Sequence, residues 1–463
     1  MKTISNLIIK EIKGDTLTPI SILQKLSGNK KFLLESSHKY NDEGRYSFIG
    51  VDPAYELVSS GQHNEITRRN GKKEVISGNP LQVLKDLIPA KASKEEFPFP
   101  FIGGGVGYIG YDIIRQFEII GEEYSNGMEM PDVHLMFYEE IIVFDHLEDK
   151  VLICGFPLSS DTTESLLLKR IEKRMEEIKQ PTFYQEHEPY HLSEFISETS
   201  KESYIKNVEI AKEHILNGDI FQVVLSRRMK SSFSGNPLTL YRKHRANNPT
   251  PYMFYIDFEG YTVIGSSPES LIKTNGNKVI SNPIAGTKKR GSNSQEDQLI
   301  EKELRKDEKE LAEHKMLVDL GRNDLGKICE FGSILVDKYM AVEKYRHVMH
   351  LVSEVSGKLL PNKTAIDALA ACIPAGTVSG APKVRAMEII NNLEKSKRGL
   401  YSGAVGYISA NGNMDFALAI RTMILKEGTA YIQAGAGIVF DSIPESEYQE
   451  TLNKLNSFLE GEK

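Results

Sequence analysis

No tryptophan occurs anywhere in the 463 residues, although tyrosine and phenylalanine number 20 and 19. Cysteine is nearly as scarce: Cys154, Cys329 and Cys372 stand far apart with no C-x-x-C pair. That spacing excludes a disulfide framework and a thiolate metal site, and gives the expectation of a reduced, cytosolic chain. Apolar runs long enough to cross a membrane are also missing, and the opening patch in MKTISNLIIKEIKG is interrupted by Lys10 and Glu11. The chain is therefore expected to be neither exported nor embedded. Positive charge is not in excess, since 57 Lys+Arg against 64 Asp+Glu leave a net charge of −7. A nucleic-acid surface and a polybasic membrane anchor are excluded on that ground, and small molecules become the default partners. No internal repeat or low-complexity tail is visible.

What is present is an ordinary globular composition, 40% hydrophobic and 26% charged, in a chain long enough for two or three domains or one large elaborated one. Residues 435–454, GAGIVFDSIPESEYQETLNK, set a glycine-rich turn directly before a helix carrying Glu447, Glu450 and Lys454. At about 100° per residue, Leu452, Leu455 and Leu459 form one stripe, and the two glutamates with the lysine form another roughly 130° away. Carboxylates at i and i+3 repel by about a few tenths of a kcal/mol unless a cation, a proton or a lysine offsets them. A second helical run, with apolar positions at Ile300, Leu304, Leu311 and Val318, repeats the E-x-x-E spacing at Glu310 and Glu313. Two facing helices with such pairs would offer an oxygen-only site for a hard divalent ion such as Mg²⁺. The same spacing also suits two solvated, charged helix faces, and spacing alone leaves both readings open.

Along the chain, residues 6–60 alternate short apolar runs with turn residues, as strands do, and Leu81, Leu84 and Ile88 mark a short helix. In FPFPFIGGGVGYIGYD, Gly105, Gly107 and Gly110 formally match G-x-G-x-x-G, but Pro98 and Pro100 precede the run in place of a clean strand. Close backbone approach at positive φ is the better reading than a dinucleotide site. Residues 134–145 and 150–155 read as a pair of strands, and residues 161–179 as an amphipathic helix. The polar, patternless residues 180–194 mark a boundary between a region 1–185 and a region 195–463. Beyond it, helices near 203–216 and 237–247 alternate with many strands, among them 219–229, YTVIGSSPESLIKT and MDFALAIRTMILK. Turn pairs such as Asn275-Gly276 and Asn411-Gly412 favour hairpins over a β-α-β repeat. The fold class expected is α+β, with large antiparallel β-sheets packed together and helices on the outside.

Several elements of the second region suit anions. Residues 377–383, TVSGAPK, precede a helix with Pro382 in its first turn, where free N–H groups receive an anion or simply begin a capped helix. Gly435, Ala436 and Gly437 present successive N–H groups as a nest or form a plain strand-end turn. Arg421 lies within the apolar run ALAIRTMIL, where a guanidinium needs a carboxylate partner, internal or bound.

Taken in order, PIAGT at 283–287, AEHKMLVDLGRND at 312–324, TVSGAPK, AIRT and GAGIVFDSIPESEYQET resemble the chorismate-utilising enzymes over nearly the whole chain. FLLESS and GRYSFIG resemble the regulatory half of the anthranilate synthase component I branch, which makes anthranilate and pyruvate from chorismate and ammonia in tryptophan biosynthesis. The resemblance implies Mg²⁺ held by Glu313 and Glu450, with Glu310 and Glu447 on metal-bound water. It implies chorismate bound by Gly286, Thr287, Tyr401, Arg421, Gly435, Ala436, Gly437 and Lys454. Glu269 matches the general acid that protonates the departing C4 hydroxyl, which requires a raised pKa. His350 matches a site histidine near that hydroxyl, with His347 its less favoured neighbour.

Two positions separate the branches. Aminodeoxychorismate synthases commonly carry a nucleophilic lysine where this chain has Ala285. Isochorismate and salicylate synthases carry a lysine base at the position aligned with Gln222, and a neutral amide is a poor base for water. Both positions favour the anthranilate branch, and a non-catalytic Mg²⁺- or tryptophan-binding regulator remains the alternative of a different class. Feedback by tryptophan is implied by Ser36 and by Pro251, Tyr252 and Met253. The absence of tryptophan would let such an enzyme be made when tryptophan is scarce, and chance accounts for it equally well. No cysteine sits in a glycine-flanked nucleophile turn, so a separate glutamine amidotransferase subunit is implied as the ammonia source and partner in a hetero-oligomer.

Overall fold

Alternation along the strands sets the architecture. In the strand Val133–Tyr138, Val133, Leu135 and Phe137 pack into one apolar cluster while Met136 and Tyr138 pack into another on the opposite face. Burial on both faces requires layers on both sides. The computed structural model, which describes residues 2–4, 6–37, 44–88, 97–125, 127–181, 188–344 and 348–459, meets this requirement with two stacked antiparallel sheets covered by helices.

Among the described residues one sheet has 14 strands and the other 12. The first runs Lys2–Ile4, Leu7–Lys13, Lys150–Gly155, Glu140–Asp145, Tyr46–Gly50, Phe32–Glu35, Tyr252–Asp257, Tyr261–Ser267, Thr422–Lys426, Thr429–Ile438, Gln222–Gly235 and Tyr190–Leu192, with two short strands added beside Gln222–Gly235. The second runs Ile284–Lys289, Val348–Lys358, Lys278–Ser281, Ser270–Asn275, Met414–Leu418, Ala404–Ser409, Gly104–Ile109, Val133–Tyr138, Tyr55–Ser60, His63–Arg68 and Lys73–Ser77, with Leu335–Lys344 beside Val348–Lys358. Phe32, Phe48 and Phe254 from the first sheet meet Val106, Tyr108 and Tyr407 from the second in the layer between them. The outer face of the second sheet packs on helices Pro80–Leu87, Ala365–Cys372 and Glu308–Gly326, and that of the first on Pro19–Lys25, Glu164–Lys179 and Pro237–Asn247. This is the expected fold class. Each sheet draws strands from both 1–185 and 195–463, so the two regions are interwoven through continuous ladders. The boundary stretch ends in the strand Tyr190–Leu192, and its residues 182–187 lie outside the described residues.

Several runs that read as one element are two, because the chain steps from one sheet to the other within them. Residues 134–145 divide at Glu139 into Val133–Tyr138 and Glu140–Asp145, one in each sheet. YTVIGSSPESLIKT divides at Pro268 and Glu269, and MDFALAIRTMILK at residues 419–421. The flanking strands are mostly buried on both sides of each step, so the apolar pattern gives no sign of it. The two later crossings lie side by side, with the Leu418 N–H donating to the Glu269 carbonyl at 3.0 Å and the Ser266 N–H to the Arg421 carbonyl at 3.1 Å. The helical run from Ile300 likewise divides into Ser294–Leu304 and Glu308–Gly326, where Asp307 accepts from the Glu310 N–H and starts a new helix. The helix expected at 161–179 starts at Glu164 behind the Thr163 cap.

The glycine run forms the centre of the second sheet, with Gly104–Ile109 buried at every position between Ala404–Ser409 and Val133–Tyr138. Gly104 has φ +134°, and a Cβ there would lie 2.2 Å from the Ile408 carbonyl oxygen. The run thus serves close backbone approach. Gly104→Ala is expected to lower the unfolding free energy by about 3 kcal/mol or more, read as a fall in the urea midpoint; an unchanged midpoint would contradict this packing.

Candidate active site

Beside the paired crossings lies a cavity of about 590 Å³ whose wall includes Gln222, Glu269, Gly286, His350, Tyr401, Arg421, Gly435, Gly437 and Lys454, together with Glu310, Glu313, Glu447 and Glu450. Residues spread from 222 to 454 therefore share one space. Thr287 contributes backbone opposite His350 in the Ile284–Lys289 and Val348–Lys358 ladder, and its side chain lies outside the described residues, as does the whole of His347.

The acid stands at the crossing. Glu269 is enclosed by protein except where it faces the cavity, and burial pushes its pKa up to about 7, against a hydrogen bond from Thr377 and the charge of Lys454. The Thr377 hydroxyl donates to Glu269 Oε1 at 2.8 Å. His350 is buried, and its pKa falls to about 4 because of that burial and the nearby Arg421 guanidinium, while a bond to the Gly286 backbone opposes the fall. At neutral pH the cavity thus presents a carboxyl close to half protonated and a neutral imidazole.

Arg421 corrects the reading of an arginine inside a strand. It stands at the break between Met414–Leu418 and Thr422–Lys426 at φ +48°, a left-handed conformation that costs a non-glycine residue about 1 kcal/mol or more. Burial lowers its pKa, and no carboxylate among the described residues pairs with it. A desolvated guanidinium without an internal partner is a binding group for an anion.

Gly435, Ala436 and Gly437 do not form a nest or a turn. They belong to the strand Thr429–Ile438, paired regularly with Ser226, Leu225 and Val224, and the turn before the last helix comes later, at residues 439–443. Alternation turns Ala436 away from the cavity into the cluster of Val208, Ile389 and Ile390. The glycines make room: a Cβ on Gly435 would meet the Tyr401 hydroxyl at 2.9 Å, and one on Gly437 would meet Gln222 Nε2 at 2.7 Å. Of the two readings left open for TVSGAPK, the structure shows the helix start, with Lys383–Glu394 directly after Pro382. Gly380–Ala381 pairs with the Gln222 strand, and Lys383 at the helix start bonds Asp324 at 2.6 Å. Only Thr377 and Val378 of the motif reach the cavity. Lys309, Thr422 and Gln433 are polar residues of the cavity wall to which the sequence reading gave no role, and Thr377 was read only as part of TVSGAPK. Adjacency in sequence to Glu310 and to Arg421 is the signal that could have pointed to Lys309 and Thr422.

Both E-x-x-E pairs face this space, one on Glu308–Gly326 and one on Pro444–Leu459. Burial and the neighbouring Glu313 raise the pKa of Glu310, and burial followed by Glu450 raises that of Glu447, with Lys309 opposing in both cases. Gln222 Nε2 donates to Glu313 Oε1 at 3.2 Å, and Lys454 bridges Glu450 at 2.8 Å and the Gly435 carbonyl at 2.9 Å. Oxygen donors with incompletely offset negative charge fit a hard divalent cation. Among the described residues no three His, Cys, Asp or Glu side chains converge into a ligand cluster, so the donors stand as two pairs.

The segments read as a tryptophan site meet at the edge between regions. Ser36 follows the strand Phe32–Glu35, which pairs with Tyr252–Asp257 so that Met253 faces Glu35, and the Ser37 N–H donates to the Thr250 carbonyl at 2.9 Å. Ser36 and Met253 are buried, Pro251 and Tyr252 partly so. The Tyr252 hydroxyl donates to Asp415 Oδ1 at 3.1 Å, on the strand that leads into the Arg421 crossing.

The family model for chorismate binding enzymes matches residues 30–460. The chain is 47% identical over 455 residues to anthranilate synthase component 1 of Lactococcus lactis subsp. lactis (strain IL1403), covering 97% of this chain and 98% of that one. It is 44% identical to the protein of the same name from Acetivibrio thermocellus, covering 98% and 94%. The crystal structure of anthranilate synthase component I from Streptococcus pneumoniae TIGR4 superposes with a TM-score of 0.83 at 43% identity, covering 96% and 98%.

Enclosing Glu269 carries a stability cost with a defined sign. Its pKa is about 7 folded against an ordinary 4.5, so between these values the folded state holds more protons and stability falls as pH rises. Glu269→Gln is expected to raise the unfolding free energy at pH 8 by about 3 kcal/mol, a gain that disappears below about pH 4.5. Denaturant titrations at both pH values check this, and an equal effect at the two would contradict it.

Proposed function

This chain belongs to the chorismate-binding enzymes, in the anthranilate synthase component 1 branch, and from that membership we propose how its cavity converts chorismate and ammonia to anthranilate, pyruvate and water. The observation that carries the reading is the enclosed carboxyl of Glu269 in the same cavity as the unpartnered guanidinium of Arg421.

Chorismate carries two carboxylates, and Arg421 and Lys454 receive its negative charge, with Tyr401 and the Gly435 edge shaping the space for the ring. Ammonia adds at C2 as the C4 hydroxyl departs. Glu269 gives its proton to that hydroxyl, which leaves as water, and the amine nitrogen releases a proton as it becomes neutral. In the second step the ether C–O bond breaks, the C2 hydrogen leaves as a proton, and the departing enolpyruvate takes up a proton at its methylene carbon to become pyruvate, leaving the aromatic product. The neutral His350, beside Arg421 and bonded to the Gly286 backbone, positions the departing groups by hydrogen bonding. Gln222 orients Glu313 and does not deprotonate ammonia, which is already nucleophilic when neutral. Ala285 offers no nucleophile for a covalent route.

Glu313 and Glu450 would hold Mg²⁺, with Glu310 and Glu447 on its bound water. Bound there, the ion supplies Lewis-acid stabilisation of charge pushed onto the ring carboxylate. Tryptophan is the expected brake, held near Ser36, Pro251, Tyr252 and Met253, and the Tyr252 to Asp415 bond links that place to the strand entering the Arg421 crossing. A ligand that favours one arrangement of this link shifts the population of active enzyme. A glutaminase subunit is the proposed partner and ammonia source.

Purified protein with chorismate, Mg²⁺ and ammonium at mildly alkaline pH is expected to produce anthranilate fluorescence that requires Mg²⁺ and is suppressed by tryptophan. Glu269→Gln is expected to lower kcat by about 100-fold or more. Consumption of chorismate without anthranilate would assign the chain to another branch, and no consumption would favour a binding regulator.

A further inference from the structure

Behind Glu269 is a second, much smaller cavity of about 40 Å³. It shares Glu269, Leu317 and Thr377 with the substrate cavity and ends at Asp324. That volume accommodates a water molecule, which needs two to four polar partners to be held. Polar groups are present: Ser281 and Asn282 line the space, and the Ser270 hydroxyl beside Glu269 is buried without a hydrogen-bond partner. Leaving a buried hydroxyl unpartnered is costly, and a water at this place removes that cost. On the far side Asp324 bonds Lys383 at 2.6 Å and Lys327 at 3.2 Å, and Lys327 is 62% exposed. The small cavity therefore touches Glu269 at one end and, at the other, an ion-paired aspartate whose Lys327 partner reaches solvent.

We propose that this cavity holds water that returns a proton to Glu269 between turnovers, relayed from solvent past the Asp324 ion pairs. The inference rests on Glu269 being the proton donor to the departing hydroxyl. After that transfer the carboxylate takes a proton from the cavity water as that water takes one from solvent through the Asp324 end, in one concerted relay that leaves no free hydroxide. The proton lost from the amine nitrogen balances the overall reaction, and no redox partner is involved. Ser270 bridges the water to the acid, which accounts for a hydroxyl that finds no protein partner.

Gly321 gives a selective test. It lies within the helix Glu308–Gly326 and lines the small cavity, and a Cβ there would sit 3.6 Å from Pro283 Cγ and 3.7 Å from Ser281 Oγ, ordinary contact distances. Gly321→Ala thus takes the water's space without a clash and suits a helix better than glycine. In steady-state assays with saturating ammonium, Gly321→Ala is expected to lower kcat about tenfold, below the full contribution of an acid. KM for chorismate should stay unchanged, and the solvent deuterium isotope effect on kcat should rise. Ser270→Ala should move kcat and isotope effect in the same direction by less. An unchanged kcat in Gly321→Ala, or a fall in kcat without a larger isotope effect, would overturn the relay. Parent-like activity in Glu269→Gln would instead overturn the assignment of the proton donor, so the two failures are distinguishable.

Discussion

Two backbone hydrogen bonds, Leu418 N–H to Glu269 carbonyl and Ser266 N–H to Arg421 carbonyl, tie together the places where two neighbouring strand pairs step between sheets. The sandwich depends on such crossings, because each sheet is built from both halves of the chain. At a crossing the ladder is interrupted and side chains are free of the alternating pattern. Glu269 and Arg421 occupy those two interruptions, so their relative position is set by rigid backbone in both sheets. Dense strands on every side also exclude water, which raises the pKa of the acid and leaves the guanidinium in need of a counter-charge.

The cavity is an electrostatic imbalance maintained by a well-packed frame. Protein interiors pair their charges because an isolated one is costly. Arg398, buried at 1% exposure, keeps that rule by bonding Glu394 and the carbonyls of Val224 and Val378. In the cavity Arg421 has no carboxylate partner among the described residues, and Glu310 and Glu447 are held above their ordinary pKa by burial and a like-charged neighbour. In the proposed reaction a dianionic substrate and a divalent cation would correct both imbalances together. Binding free energy stored in this way is available where charge develops during the reaction.

Much of this was legible in the sequence, for physical reasons that differ by residue. Glu310, Glu313, Glu447 and Glu450 were visible because helical periodicity separates their faces from the leucine stripes. Arg421 was visible as a charge in an apolar run and Glu269 only through the family resemblance of SSPES, yet their positions at crossings were not, since the strands on either side read as one continuous run. The glycines at 435 and 437 were noticed and misassigned: composition signals a need for space, but only the ladder with Gln222–Gly235 shows that the space belongs to Tyr401 and Gln222. The role of Thr377 was hidden because its motif also fits an ordinary helix start. Interweaving of the two regions lies beyond any local pattern, because strand neighbours such as Leu34 and Phe254 are 220 positions apart in sequence.

The central claim is that substrate carboxylate and cation complete one another's site. Calorimetric titration of Mg²⁺ into the protein, with and without saturating benzoate as a ring-carboxylate probe, tests it most directly. By reciprocity, coupling of about 1.4 kcal/mol or more would tighten the Mg²⁺ Kd at least tenfold when benzoate is present, and that is the expected result. Equal Mg²⁺ affinity in the two titrations would contradict the account, because it would mean that the carboxylate and the ion do not share the cavity.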